Sequence, residues 1–196
     1  ANISAITTDS VTAAFTVTND AVVNLAATLG KAVVTFTGGD GGGDDIVNID
    51  SATLNTATFV VTGNAVLQGT AATMDGHAAS GTGTTAVTAL HTTPGANLSG
   101  LTTTSVTAAA TATDATIDFT GNLGKAVVAI TGGNGTGDAD IFSINNSATV
   151  GTATFTVAAN NILTGSALQL DGHAASGDGT TAVTALHTTP GANLSG

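Results

Sequence analysis

The amino-acid sequence predicts an all-β, tandem-repeat β-solenoid whose units are parallel, β-helix-like coils. Three observations carry this expectation. The 26 residues from Asp75 to Gly100 return at Asp171 to Gly196 with one change, Thr82 to Asp178. Small or β-branched residues alternate with period two in short runs that end at Gly, Asn or Asp. The large residues that usually fill a sheet-on-sheet core are scarce, with six Phe, no Trp and no Tyr in 196 residues.

The register of the repeat defines the units. Ala1-Asn2-Ile3-Ser4 matches Ala96-Asn97-Leu98-Ser99 and again Ala192-Asn193-Leu194-Ser195, so the chain starts and stops at one phase of a unit of roughly 96 residues. Residues 1–95 form repeat unit 1, and residues 96–196 form repeat unit 2 plus the start of the next boundary. A chain that opens on Ala rather than Met is what a processed or excerpted protein shows.

The elements follow in order. In unit 1, Ser10–Thr18, Lys31–Thr37, Thr56–Thr62 and Thr84–Leu90 alternate as strands; unit 2 repeats them at Ser105–Thr113, Lys125–Thr131, Thr152–Ala158 and Thr180–Leu186. No window holds a capped apolar stripe of helical period, so helices are expected to be absent or one turn long. About eight short strands per unit, at roughly 10–12-residue spacing, suit a sandwich, barrel or solenoid. Aligning the units requires one extra residue near Asn19 in the first and two in the second, around Ala139 and Asn146. Those insertions mark loops, the latter two flanking a short strand at Asp140–Ile144.

The alternative fold is a pair of tandem Ig-like β-sandwiches. A sandwich of this size normally has large inward residues and often an aromatic anchor. Abundant Ala, Val, Thr and Gly suit thin stacked coils instead, in which inward side chains pack on equivalent neighbours and Asn or Thr ladders satisfy one another.

Composition excludes several function classes. The only cationic side chains are Lys31 and Lys125, all thirteen acids are Asp, and the net charge is -11, so nucleic acid and anionic membranes are implausible partners. With 42% hydrophobic residues in patterned runs, the chain is expected to fold. No apolar stretch approaches the roughly 18 residues of a membrane span, and no signal-peptide pattern opens the chain. Catalysis finds little support: no GxSxG elbow occurs, and Glu, Tyr, Arg and Cys are absent, so the chain is not expected to be an enzyme.

The strongest candidate site is metal-binding. The runs Gly38–Asp45 (GGDGGGDD) and Gly132–Asp140 (GGNGTGDAD) each follow an apolar strand and crowd Asp carboxylates onto glycine turns. They make Asp40, Asp44, Asp45, Asp138 and Asp140 candidate Ca²⁺ ligands, against the plainer reading of a polar Gly-rich turn. The histidines, His77 and His91 with His173 and His187, stand beside Asp-Gly or Thr-Thr-Pro-Gly and belong to turn chemistry rather than zinc. Lys31 and Lys125 read as blunted strand edges rather than isopeptide staples. Thr-rich alternation, as at Thr102-Thr103-Thr104 and Thr152-Ala153-Thr154, raises an ice-binding face. Sequons at Asn2, Asn97, Asn134, Asn145 and Asn193 matter only where surface proteins are glycosylated.

The glycine–aspartate runs resemble the calcium-binding nonapeptide of RTX proteins, although Asp44 and Asp138 come later than that pattern places its Asp. The recurring ANLSG-L/I-T boundary, LTGSALQLDG at Leu163–Gly172 and GGNGTGDADIF at Gly132–Phe142 make the whole chain look like the tandem repeats of giant secreted bacterial surface proteins: RTX-type adhesins, S-layer-like proteins and haemagglutinin-like stalks. That resemblance implies export, an extracellular or cell-surface location, a structural or adhesive role, and calcium dependence. The expected function is a structural repeat of an extracellular filament, fibre or surface layer assembled head to tail, with the chain itself as partner in a homopolymer or longer covalent array. The alternatives are an adhesin stalk or binding module for a cell surface or glycan, and an ice-binding face. Neither Trp nor Tyr is present to make an aromatic sugar platform.

Overall fold

Alternating runs with small turn residues between them can bury one face only by pairing with a run one coil later, and that is how the chain folds. A computed structural model describes residues 1–6, 8, 10–39, 42–132 and 139–195. It divides into two compact units: unit 1 is Ala1–Thr88 with Ser99–Thr107, and unit 2 is Ala89–Leu98 with Ala108–Gly196. Each compact unit takes residues from both sides of position 95 in the sequence.

Unit 1 contains β1 (Thr12–Val17), β2 (Val22–Asn24), β3 (Val33–Gly38), β4 (Asp45–Asn48), β5 (Thr58–Thr62), β6 (Ala65–Thr70), β7 (Ala79–Ser80) and β8 (Thr84–Thr88). Odd and even strands stack separately, in the orders β1-β3-β5-β7 and β2-β4-β6-β8. Each described ladder is parallel: Thr12 pairs with Val33, Val33 with Thr58, and Phe59 with Ala79. A third line of parallel bridges joins Asn2 to Thr28 and Thr28 to Thr53. This is a β-solenoid; the antiparallel pairing that a tandem sandwich requires is absent among the described strands.

Register follows burial. Val34 and Phe36 point inward and pair with Phe59 and Val61, all four buried, while their outward neighbours Thr35 and Thr37 stay partly exposed. Phe36 and Phe59 stack with ring centroids 5.8 Å apart, and Phe15 meets Phe36 edge-on at 4.9 Å. A core of few Phe is enough because each coil only has to cover the coil beside it.

Unit 2 repeats the plan. Its strands are β9 (Ser105–Ala112), whose first three residues group with unit 1, then β10 (Thr116–Phe119), β11 (Val127–Gly132), β12 (Asp140–Ile144), β13 (Thr154–Val157), β14 (Asn161–Ser166), β15 (Ala175–Ser176) and β16 (Thr180–Thr184). Strands β10, β12, β14 and β16 stack in parallel, as do β11, β13 and β15. Bridges Asn97–Asn122 and Asn122–Thr149 repeat the third line. Coil length varies between the 18-residue step from Ile162 to Thr180 and the 27-residue step from Val127 to Thr154. The extra residues go into turns.

Helices are single turns. Ala71–Met74 (α1) and Ala167–Leu170 (α2) are capped by Thr70 and Ser166, whose hydroxyls accept from the N–H groups of Thr73 and Gln169, each at 3.3 Å. Gly81 and Gly177 mark a turn that only glycine fits. Their φ values are +111° and +109°, and a Cβ would lie 2.3 Å from the Val61 carbonyl oxygen or 2.2 Å from that of Val157.

Candidate functional site

Among their described residues the glycine–aspartate segments supply two buried carboxylates. Asp45 and Asp140 open β4 and β12, the alternation of those strands turns both inward, and each is 0% exposed. Asp45 Oδ2 accepts the N–H of Gly39 at 3.1 Å, and Asp140 Oδ1 accepts that of Ala115 at 3.1 Å. The second oxygens, Asp45 Oδ1 and Asp140 Oδ2, are buried without a hydrogen-bond partner. Leaving a buried acceptor unsatisfied costs roughly 1–3 kcal/mol, and more for a charged one. Asp44, one residue earlier, is exposed. Asp40 and Asp138 lie outside the described residues. Among the described residues no group of three or more Asp or His side chains converges as a metal cluster.

One participant escaped the sequence reading. Asn161 is the Cα partner of Asp140 on the next coil, is 1% exposed, and also has a buried oxygen, Oδ1, with no partner. Its Nδ2 donates to the carbonyls of Ala158 at 3.1 Å and Ala159 at 2.9 Å, which fixes the amide's orientation, since the reverse would set oxygen against oxygen. In unit 1 the Cα partner of Asp45 is Ala65, which carries no amide; the preceding Asn64 instead turns its amide to the glycine turn, with Nδ2 donating to the Gly43 carbonyl. The two copies differ here in sequence, Ala65 against Asn161, and that difference was the available signal.

The histidines are tied to backbone. His77 Nδ1 lies 3.2 Å from the Ala57 carbonyl, and His173 Nδ1 lies 2.9 Å from that of Ala153; a carbonyl only accepts, so Nδ1 carries the proton in both. His91 is the opposite tautomer, its Nδ1 accepting the N–H of Thr111 at 3.1 Å. The His187 side chain lies outside those described.

Residues 171–195 expose what their counterparts in 75–99 bury. A cavity of about 110 Å³ in unit 2 is lined by Leu170, His173, Ala175, Thr181, Val183 and Leu194. Their counterparts Met74, Ala79, Thr85, Val87 and Leu98 are all buried. Ala79 is bridged to Leu101, and the Thr85 hydroxyl meets that of Thr103 at 2.8 Å.

The outward face of the odd strands in unit 1 carries threonine. Thr16, Thr37 and Thr62 stand in register, with the Thr62 hydroxyl 3.1 Å from that of Thr37; Thr111 and Thr131 meet at the same distance in unit 2.

No protein-family model, no curated protein and no solved structure matches the chain. Its class is the β-solenoid that its own coils define.

Proposed function

We propose that the chain is a structural length of an extracellular filament, fibre or surface layer, assembled head to tail with further copies of itself. One observation supports this above all. The segment 75–100 and its near-identical copy 171–196 differ in burial: Leu90 and Leu98 are 0% exposed, whereas Leu186 and Leu194 are 51% and 41% exposed. The other end is reciprocal, with Ile6 44% exposed where its counterpart Leu101 is 1% exposed. The exposed end therefore offers the surface on which the residues around Leu101 sit within unit 1, and the residues around Ile6 carry the same pattern. A contact between two different ends leaves one of each free, and it propagates unless its rotation closes a ring.

Sedimentation of the purified chain at rising concentration is the test. The expected result is a ladder of end-to-end oligomers that Leu186→Asp with Leu194→Asp, or Ile6→Asp alone, returns to monomer while the melting temperature is kept. A species that stays monomeric at millimolar concentration, or oligomers indifferent to these substitutions, would count against it.

A second reading, an ice-binding face, is favoured by the Thr16–Thr37–Thr62 row. Strands about 4.8 Å apart, with alternate residues about 6.7 Å apart along each, hold hydroxyls and methyls in a two-dimensional lattice. Ice-recrystallisation assays separate the two readings, since Thr37→Lys would abolish ice binding and leave end-to-end assembly intact.

A further inference from the structure

We propose that Asp140 Oδ2 and Asn161 Oδ1 are ligands of a Ca²⁺ site inside unit 2 that has no counterpart in unit 1. The site differs from a cluster of carboxylates on the glycine–aspartate turns: it consists of one carboxylate and one amide oxygen, stacked on neighbouring coils.

Both oxygens are acceptors only, both are buried, and neither has a hydrogen-bond partner. Their residues are direct Cα partners in the β12–β14 ladder. Neighbouring strands lie about 4.8 Å apart, and a Ca²⁺ ion with ligands at about 2.3–2.6 Å is of a size to sit between side chains stacked at that spacing. A bridging water would give each oxygen a donor but leave the carboxylate's charge buried; a cation answers both needs.

The surroundings hold the pair in place. Ala115 N–H fixes Asp140 through the other carboxylate oxygen, and the carbonyls of Ala158 and Ala159 fix the Asn161 amide. Gly132 keeps the flank of Asp140 open, because a Cβ there would lie 2.7 Å from Asp140 Oδ2 and 2.3 Å from the Ala112 carbonyl oxygen. Oxygen-only donors of this kind select hard cations, and Ca²⁺ tolerates the irregular geometry of a shell completed by carbonyls and water better than Mg²⁺ does. A single carboxylate puts the site in the weak class, with a dissociation constant of about 10⁻⁴–10⁻³ M. In unit 1 the Cα partner of Asp45 is Ala65, so the ladder position that supplies the amide oxygen in unit 2 supplies none, and the adjacent Asn64 amide is held to the Gly43 carbonyl.

Equilibrium dialysis of the metal-stripped full chain against radiolabelled Ca²⁺, in excess KCl and Mg²⁺ to suppress loose binding to surface Asp, tests the assignment. One ion per chain is expected, with Asn161→Ala weakening binding by at least about tenfold. Ala65→Asn, which builds the missing amide over Asp45, is expected to raise the count to two. This gain does not depend on a damaged variant folding. Absence of bound Ca²⁺, binding indifferent to Asn161→Ala, or a count unchanged by Ala65→Asn would each overturn the proposal. Binding indifferent to Asn161→Ala would return the ion to the glycine–aspartate turns, and no binding would leave a water between the two oxygens.

Discussion

Residues 75–99 and 171–195 have the same sequence at every position but one and adopt nearly the same local structure, yet the first copy is largely buried and the second largely exposed. Both make the glycine turn at Gly81 or Gly177, the strand of five residues and a short 3-10 turn. Ala89 and Ala185 share a left-handed φ of 52° at the start of that last turn. Local conformation is thus independent of the coil that follows. Burial is not: Thr85 is 0% exposed, and Thr181 is on the surface. In a stacked fold each coil's backbone is set by the coil before it, while its energetic weight is set by the coil after it.

That comparison predicts how substitutions divide between the copies. The largest divergence is expected at leucine. Leu90→Ala removes a fully buried side chain and should destabilise the chain by about 2–5 kcal/mol. Leu186→Ala, in identical local sequence, should change stability by less than about 0.5 kcal/mol, as for other surface sites. Denaturant melts of the two variants measure the gap, and equal losses would break the comparison.

Glycine should behave the opposite way. Gly81→Ala and Gly177→Ala meet the same positive φ and the same approach to a carbonyl of the preceding coil, so each should lose about 1–3 kcal/mol whatever follows it. A difference of more than about 1 kcal/mol between the two would mean that the next coil also shapes the turn.

The smallest effect is expected at threonine. Thr85→Val breaks the 2.8 Å pair with Thr103 and leaves the Thr103 hydroxyl to its other bond, to the Ser105 carbonyl, at a cost of about 1 kcal/mol. Thr181→Val should be near neutral, and a double-mutant cycle of Thr85 with Thr103 isolates the pair.

Most of the fold was legible from period-two alternation, and the expected strand at Asp140–Ile144 coincides with β12. Strands of two or three residues, such as β2 and β7, gave too short a pattern to be placed. The candidate site was only half legible. Its acids could be named because Asp beside glycine is conspicuous; Asp140 opens the expected strand, whereas Asp45 closes the glycine-rich run in sequence and in the structure begins β4, both with their carboxylates inward. Asn161 lies 21 residues from Asp140, as the second Asn of an unremarkable Asn-Asn pair, and nothing in the local sequence ties the two together.

The sequence by itself determined what depends on neighbours along the chain: alternation, turn glycines, one-turn helices capped by Thr70 and Ser166, and the repeat that makes the coils alike. Tertiary structure alone decided what depends on neighbours across the stack. Coil length, which varies between 18 and 27 residues, sets the register in which side chains meet, so positions 140 and 161, like 45 and 65, face each other across the ladder, while the sequence decides that the second member is Asn in one copy and Ala in the other. The stack also decided that Leu90 is core and Leu186 is surface, because burial is a property of what covers a residue and not of the residue.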